Sequence, residues 1–261
     1  MYETRHQIYR YLTPPAIILL VVTTLPMSSV VFAAPFQNQW QYHWDIRELA
    51  AADADEIELR NQRNTPIRKI STSQMRILHA VKTSITEVAE IDTRLIIVDG
   101  KQPNAFAGSE KNGGNIIGVN FAMLDIIGLD VHAAAALIGH EIAHLKLRHG
   151  EKQGKPGVGS AVLKAAGGVA LSGLGVPFGS AISSIGITAI ETEYSRDNER
   201  EADYLGAIWA IEAGYEAGGA VRLHRTMQTK AGGKGLPFLS SHPSGPERIR
   251  TLENLSQRLS N

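Results

Sequence analysis

Five residues, His140-Glu141-Ile142-Ala143-His144, constrain this chain more than any other stretch. On an α-helix of about 3.6 residues per turn, His140 and His144 project side by side and can bind one metal ion. Glu141 falls on the adjoining strip. It can act on a water at the metal without being a ligand, as a general base does in a zinc peptidase. The competing reading is an alanine-rich amphipathic helix whose histidines are surface or satisfied core residues. The flanks favour a helix in either case. Asp130 is a candidate N-cap, Val131 to Ile138 is rich in helix formers, and Lys146, Arg148 and His149 sit where the helix dipole favours cations. Gly150 is the expected stop.

A catalytic zinc site takes three protein ligands and water, so the pair of histidines needs a partner. A metzincin-type third histidine would require Gly at position 147 and His at position 150, but Leu147 and Gly150 stand there. His149 is one residue off and turned by about 100°. The alternative is a carboxylate from a later helix. Glu191 to Ile211 is a long amphipathic stretch containing Ser195-Arg196-Asp197-Asn198-Glu199-Arg200-Glu201-Ala202-Asp203. Glu199 and Asp203 are i and i+4 and share a face, whereas Glu201 points elsewhere. One of the pair can bind metal while the other orients a ligand histidine, with Ala202 allowing close approach. A solvated charged face is the plainer alternative.

The chain has 261 residues, zero formal net charge and no cysteine. Neutral balance argues against nucleic acid as a partner. The missing thiols exclude disulfides, a cysteine nucleophile and Cys-bound zinc, so a metal site must be built from His, Asp and Glu. No GxSxG elbow is present either. Arg5 and Arg10 precede an apolar run from Ala16 to Leu25, and Val31-Phe32-Ala33-Ala34 offers small residues for cleavage. Residues 1–33 are expected to be a secretory signal peptide cut after Ala33, with an uncleaved N-terminal anchor as the alternative. Residues 34–261 then form a single domain in the periplasm.

Along that domain, Trp40, Tyr42 and Trp44 read as packing aromatics, and Asp45 to Arg60 reads as a mostly exposed helix. Thr65-Pro66 interrupts it. Ser71 and Gln74 form a capping box that opens a helix with Met75, Leu78, Val81, Ile85 and Val88 on one face, His79 beside it being structural. Three short strands follow, at Arg94–Val98, Asn104–Ala107 and Asn115–Val119, then a short helix from Asn120 to Ile127. The last strand, through Ile116, Ile117, Gly118 and Val119, is a candidate edge for holding a peptide as an added strand. Residues 154–190 are glycine-rich, and 165–190 lack any charge. With Pro177 inside, they read as two helical pieces covering the active-site cleft. A membrane-dipping segment giving peripheral membrane association is the alternative.

HEIAH, then SRDNEREAD, then Ser241-His242-Pro243 with Arg248-Ile249, resemble the metallopeptidase family that includes the CaaX prenyl proteases, the HtpX membrane proteases and soluble periplasmic quality-control proteases. The Asn104–Ala107 strand matches that family's pattern too, and the likeness covers roughly residues 70 to 250. It implies an α+β, mainly α, zincin-like fold of gluzincin type, with a small sheet before the HExxH helix and a long third-ligand helix after it. It also implies one Zn2+ per chain, held by His140, His144 and Glu199, with Glu141 as base and Asp203 behind a ligand histidine. His242 is implied as a regulatory fourth ligand; it, Arg196 and Tyr194 are candidate oxyanion donors. The expected activity is endopeptidase action on misfolded or misassembled envelope polypeptides, including outer-membrane proteins. A chaperone-like binding protein of low turnover and a membrane-embedded protease remain the alternatives.

Overall fold

The computed structural model describes residues 29–32, 34–35, 42–61, 63–110, 113–150, 187–189, 194–231, 237–243 and 246–259. Most of the expected cover at 154–190 lies outside the described residues.

The described chain begins with β1 (Ser29–Phe32), inside the stretch expected as leader, then β2 (Ala34–Pro35) and β3 (Tyr42–Asp45). Trp44 on β3 is buried and packs on Phe121 with ring centroids 5.4 Å apart, so this aromatic is core. The expected helix over Asp45–Arg60 is corrected. Only α1 (Ile46–Ala50), capped by Asp45, is helical, and Glu56–Arg60 forms strand β4. The alternation Glu-Ile-Glu-Leu-Arg has the period of a strand, and pairing with β5 (Pro66–Ser71) buries Ile57 and Leu59 completely. β1 lies parallel to β4 on its other side.

Helix α2 (Thr72–Ala89) starts at the expected cap, where the Ser71 hydroxyl accepts from the Gln74 amide N–H. The reciprocal half of the box is replaced: the Gln74 side chain donates to the carbonyls of Leu124 and Gly128, at 2.8 and 2.7 Å. This fastens α2 to the end of α3 (Phe121–Ile127). Met75, Leu78, Val81 and Ile85 face the core as the spacing predicts.

Strands β6 (Thr93–Val98), β7 (Ala105–Glu110) and β8 (Asn115–Asn120) join a six-stranded sheet of order β2-β3-β6-β8-β7-β9. The edge-strand expectation for Ile116, Ile117, Gly118 and Val119 is thereby corrected. β8 is interior, parallel to β6 and antiparallel to β7, so its backbone groups are used on both sides. The Phe106 ring lies over Gly118 and fills the place of a side chain there. The strand beyond β7 is β9 (Ile187–Ala189), which overturns the helical reading for the end of the glycine-rich segment.

Asn120 closes β8 and caps α3, its side-chain oxygen accepting from the Met123 and Asn104 N–H groups. Next comes α4 (Val131–Lys146), with Asp130 accepting from His132 and Ala133 N–H. It packs against α2, β7, α5 (Arg196–Glu212) and α6 (Gly219–Ala231). Buried on nearly every side from Ala133 to His144, α4 is the central helix. It ends before Gly150: Leu147 is the C-cap and Arg148 takes the left-handed conformation at φ 56°. Helices α7 (Pro237–Ser241) and α8 (Pro246–Leu259) complete the described chain.

The α4–α5 crossing decides what α5 can present. A Cβ built on Gly206 would lie 2.8 Å from the His140 nitrogen and the Gly139 carbonyl carbon, and one on Gly139 would lie 2.8 Å from the Gly206 carbonyl oxygen. The two backbones touch where only glycine fits. Ala202 is buried one turn earlier, so the small-residue contact expected there extends along α5.

Candidate metal centre

His140 and His144 stand one turn apart on α4 with their Nε2 atoms 2.9 Å apart. Glu199, on α5 and two turns before Gly206, brings Oε1 to 3.3 Å from His144 Nε2 and Oε2 to 3.6 Å from His140 Nε2. His242, just after α7, brings Nδ1 to 3.1 Å from both His140 Nε2 and Glu199 Oε1. One donor atom from each of the four lies within 4.8 Å of all the others, and all four residues are buried.

This donor set fits zinc. Three imidazole nitrogens and a carboxylate oxygen, without thiolate, are borderline ligands of the kind zinc takes. Glu141 supplies a second observation. It is wholly buried, and neither carboxylate oxygen makes a hydrogen bond; His242 Nε2 lies 3.5 Å from its Oε1. An ionised carboxylate buried without partners costs several kcal/mol, so it belongs beside a group that a cation and a water would complete. Burial pushes its pKa upward, against the pull of His242 and His140.

Around the four convergent side chains sits a layer of charged groups. Asp203, one turn after Glu199, holds Oδ1 3.0 Å from His140 Nδ1. Arg248 on α8, only 8% exposed, makes a bidentate pair with Asp203 at 2.8 and 2.7 Å. It also contacts Glu199 through Nη1 and donates to the carbonyls of His242 and Pro243, both at 3.3 Å. Burial alone would raise Asp203, but Arg248 and His140 hold it well below the usual carboxylate range. Glu199 is lowered despite burial by His242 and His140. For His140, burial is outweighed by Glu199 and Asp203, and its pKa rises; for His144, burial and the charge of His140 drive it down.

In the sequence Arg248 figures only as part of the family motif with Ile249, with no role assigned to its guanidinium. The Tyr194 ring stacks on His144, centroids 3.8 Å apart and planes 21° apart, so it touches one of the four convergent residues. Arg196 does not belong to the site: its side chain is 78% exposed and faces Glu247 at 3.8 Å. His149 and Glu201, set aside in the sequence, meet behind His144.

A family model for Peptidase family M48 matches residues 72–256. The chain belongs to peptidase family M48. The family's metallopeptidases are zinc enzymes, in keeping with the donor set. A relative from Schizosaccharomyces pombe, mitochondrial metalloendopeptidase OMA1, is 29% identical over 174 residues, 65% of this chain and 48% of that protein. Metalloprotease YcaL of Escherichia coli is 29% identical over 120 residues, 45% of this chain and 46% of its own. Protease HtpX homolog 1 of Saccharolobus solfataricus is 40% identical over 55 residues, 21% of this chain and 17% of its own. The chain spans about half or less of the length of the M48 relatives it matches. The mixed, mainly helical fold agrees with a zincin-like M48 core.

Beside the centre, His224 on α6 is 4% exposed, and burial, reinforced by Arg248, pushes its imidazole down to about 3. The unfolded chain takes up this proton near the ordinary 6.5, the folded chain only near 3. Its contribution to stability is therefore complete above pH 6.5 and is lost as pH falls toward 3, by up to about 5 kcal/mol. Urea unfolding at stepped pH checks this. His224→Gln should show a shallower loss than wild type between pH 6.5 and 4, and parallel curves would refute it.

Proposed function

We propose that this chain is a zinc-dependent endopeptidase acting on misfolded or misassembled polypeptides of the bacterial envelope. The observation that carries the peptidase reading is the meeting of His140, His144 and Glu199 around one point, with a wholly buried, unbonded Glu141 carboxylate beside them. Bound zinc lowers the pKa of a water and polarises the scissile carbonyl. Glu141 takes a proton from the attacking water and passes it to the leaving nitrogen, base first and acid afterwards. Burial, which shifts its pKa upward, favours its holding the proton between the two transfers. Asp203, locked by Arg248, keeps the His140 proton on Nδ1 and leaves Nε2 free to ligate.

The leader-like residues 1–33 support export to the periplasm. Cleavage after Ala33 would remove β1, and N-terminal sequencing of the mature protein decides the matter. No helix among the described residues is long and apolar enough to cross a membrane. Polypeptide substrates follow from the family; the envelope setting rests on the leader alone.

His242 favours a second feature of the same reading, a closed resting state. With its Nδ1 among the ligand atoms, it completes a four-ligand shell, the arrangement of zinc sites that leave no place for water. One experiment tests both assignments, zinc content beside casein digestion. Glu199→Gln should lose zinc at least tenfold more readily than Glu201→Gln, and equal losses mean that the third ligand is misassigned. His242→Ala should keep zinc and digest casein faster. Slower digestion would make His242 an oxyanion donor instead.

A further inference from the structure

His144 is held from behind by a second histidine. Its Nε2 faces the ligand cluster, and its Nδ1 lies 3.0 Å from Nδ1 of His149. His149 is wholly buried, and its Nε2 lies 3.2 Å from Oε2 of Glu201, whose side chain is 61% exposed. The local backbone makes this possible. The α4 helix stops at Lys146, Arg148 turns left-handed at φ 56°, and the reversal returns the His149 ring beneath His144 instead of leaving it turned away.

We infer that His149 is a positioning residue that fixes the tautomer and ring orientation of His144 for metal binding, with Glu201 fixing His149 in turn. The inference rests on the proposed ligation by His144 Nε2. A neutral imidazole that gives Nε2 to a metal carries its proton on Nδ1 and must donate it. The acceptor at 3.0 Å is then the Nδ1 lone pair of His149, which places the His149 proton on Nε2, pointing at Glu201. Only one proton arrangement satisfies all three groups. With Tyr194 stacked on its face, the His144 ring is fixed both in plane and in rotation. The two ligand histidines are thus oriented differently, His140 by a buried carboxylate and His144 by an imidazole.

The test separates an acceptor from a filler. His149→Phe keeps a ring of similar volume in the buried place but removes the acceptor, whereas His149→Asn gives up volume and can offer an oxygen near the Nδ1 position. Zinc affinity is measured by chelator competition on the full chain, and the visible spectrum of the cobalt-substituted protein reports ligand geometry. The positioning role predicts a 10- to 100-fold weaker affinity and shifted cobalt bands for His149→Phe, with most of both restored in His149→Asn. The opposite order, Phe like wild type and Asn impaired, means His149 only packs and overturns the inference. If both variants fail to fold, Glu201→Leu reads the same chain: cobalt bands identical to wild type would also overturn it, and shifted bands support it. His144→Ala is the control. Zinc retained in that variant means that the metal reading has failed; zinc lost there but unchanged in His149→Phe means that only this inference has.

Discussion

Glu141→Gln should leave zinc content at the wild-type level and reduce casein digestion by about 10²- to 10⁴-fold, the usual worth of a positioned general base. Glutamine has the size and shape of glutamate, so the fully buried pocket around residue 141 is not repacked. Residue 141 is also outside the group of four whose donor atoms converge, so removing its charge takes no ligand away. What disappears is, among the described residues, the only buried carboxylate near the convergent donor atoms with neither oxygen hydrogen-bonded. Metal analysis and a digestion assay on the same preparation check both halves. Substantial turnover in the variant would contradict the base assignment, and a parallel loss of zinc would make Glu141 a ligand.

The second large effect is expected far from any ligand in chemical terms. Gly206→Ala adds one methyl group, but that carbon would lie 2.8 Å from two backbone atoms of α4, the Gly139 carbonyl carbon and the His140 nitrogen. Backbone cannot rotate aside as a side-chain tip can, so the helices must separate. Overpacking of this kind costs about 1–3 kcal/mol, which for a chain of this size lowers Tm by several degrees. The functional cost is greater, because Glu199 and Asp203 ride on the displaced helix while His140 and His144 stay on α4. Zinc affinity should fall at least 10-fold. A thermal melt with zinc titration checks the pair of effects. Wild-type affinity in Gly206→Ala would show that the site tolerates the separation.

The readings that survived best are those decided within one or two helical turns. Ser71 and Asp130 act as N-caps where they were expected, since a cap depends on a side chain and the N–H groups two or three residues ahead. The strands at Arg94–Val98, Asn104–Ala107 and Asn115–Val119 were legible for a similar reason. The errors came where two periods overlap or where pairing is remote. Glu56–Arg60 has too few residues for helix and strand periodicity to separate, and β5 selected the strand. Ile116–Val119 was legible as a strand, but whether a strand is edge or interior depends on neighbours far along the chain; here these are β6 and β7.

By itself the sequence determined that His140 and His144 share a face with Glu141 beside them, and that Glu199 and Asp203 share another, because i and i+4 spacing on a helix is local geometry. Only the tertiary structure decided that the two faces meet. The Gly139–Gly206 contact sets their distance, the burial of Arg248 makes it the partner of two carboxylates, and the left-handed turn at Arg148 brings His149 behind His144. Each depends on residues distant in sequence or on a single backbone reversal, and neither leaves a mark in composition or periodicity.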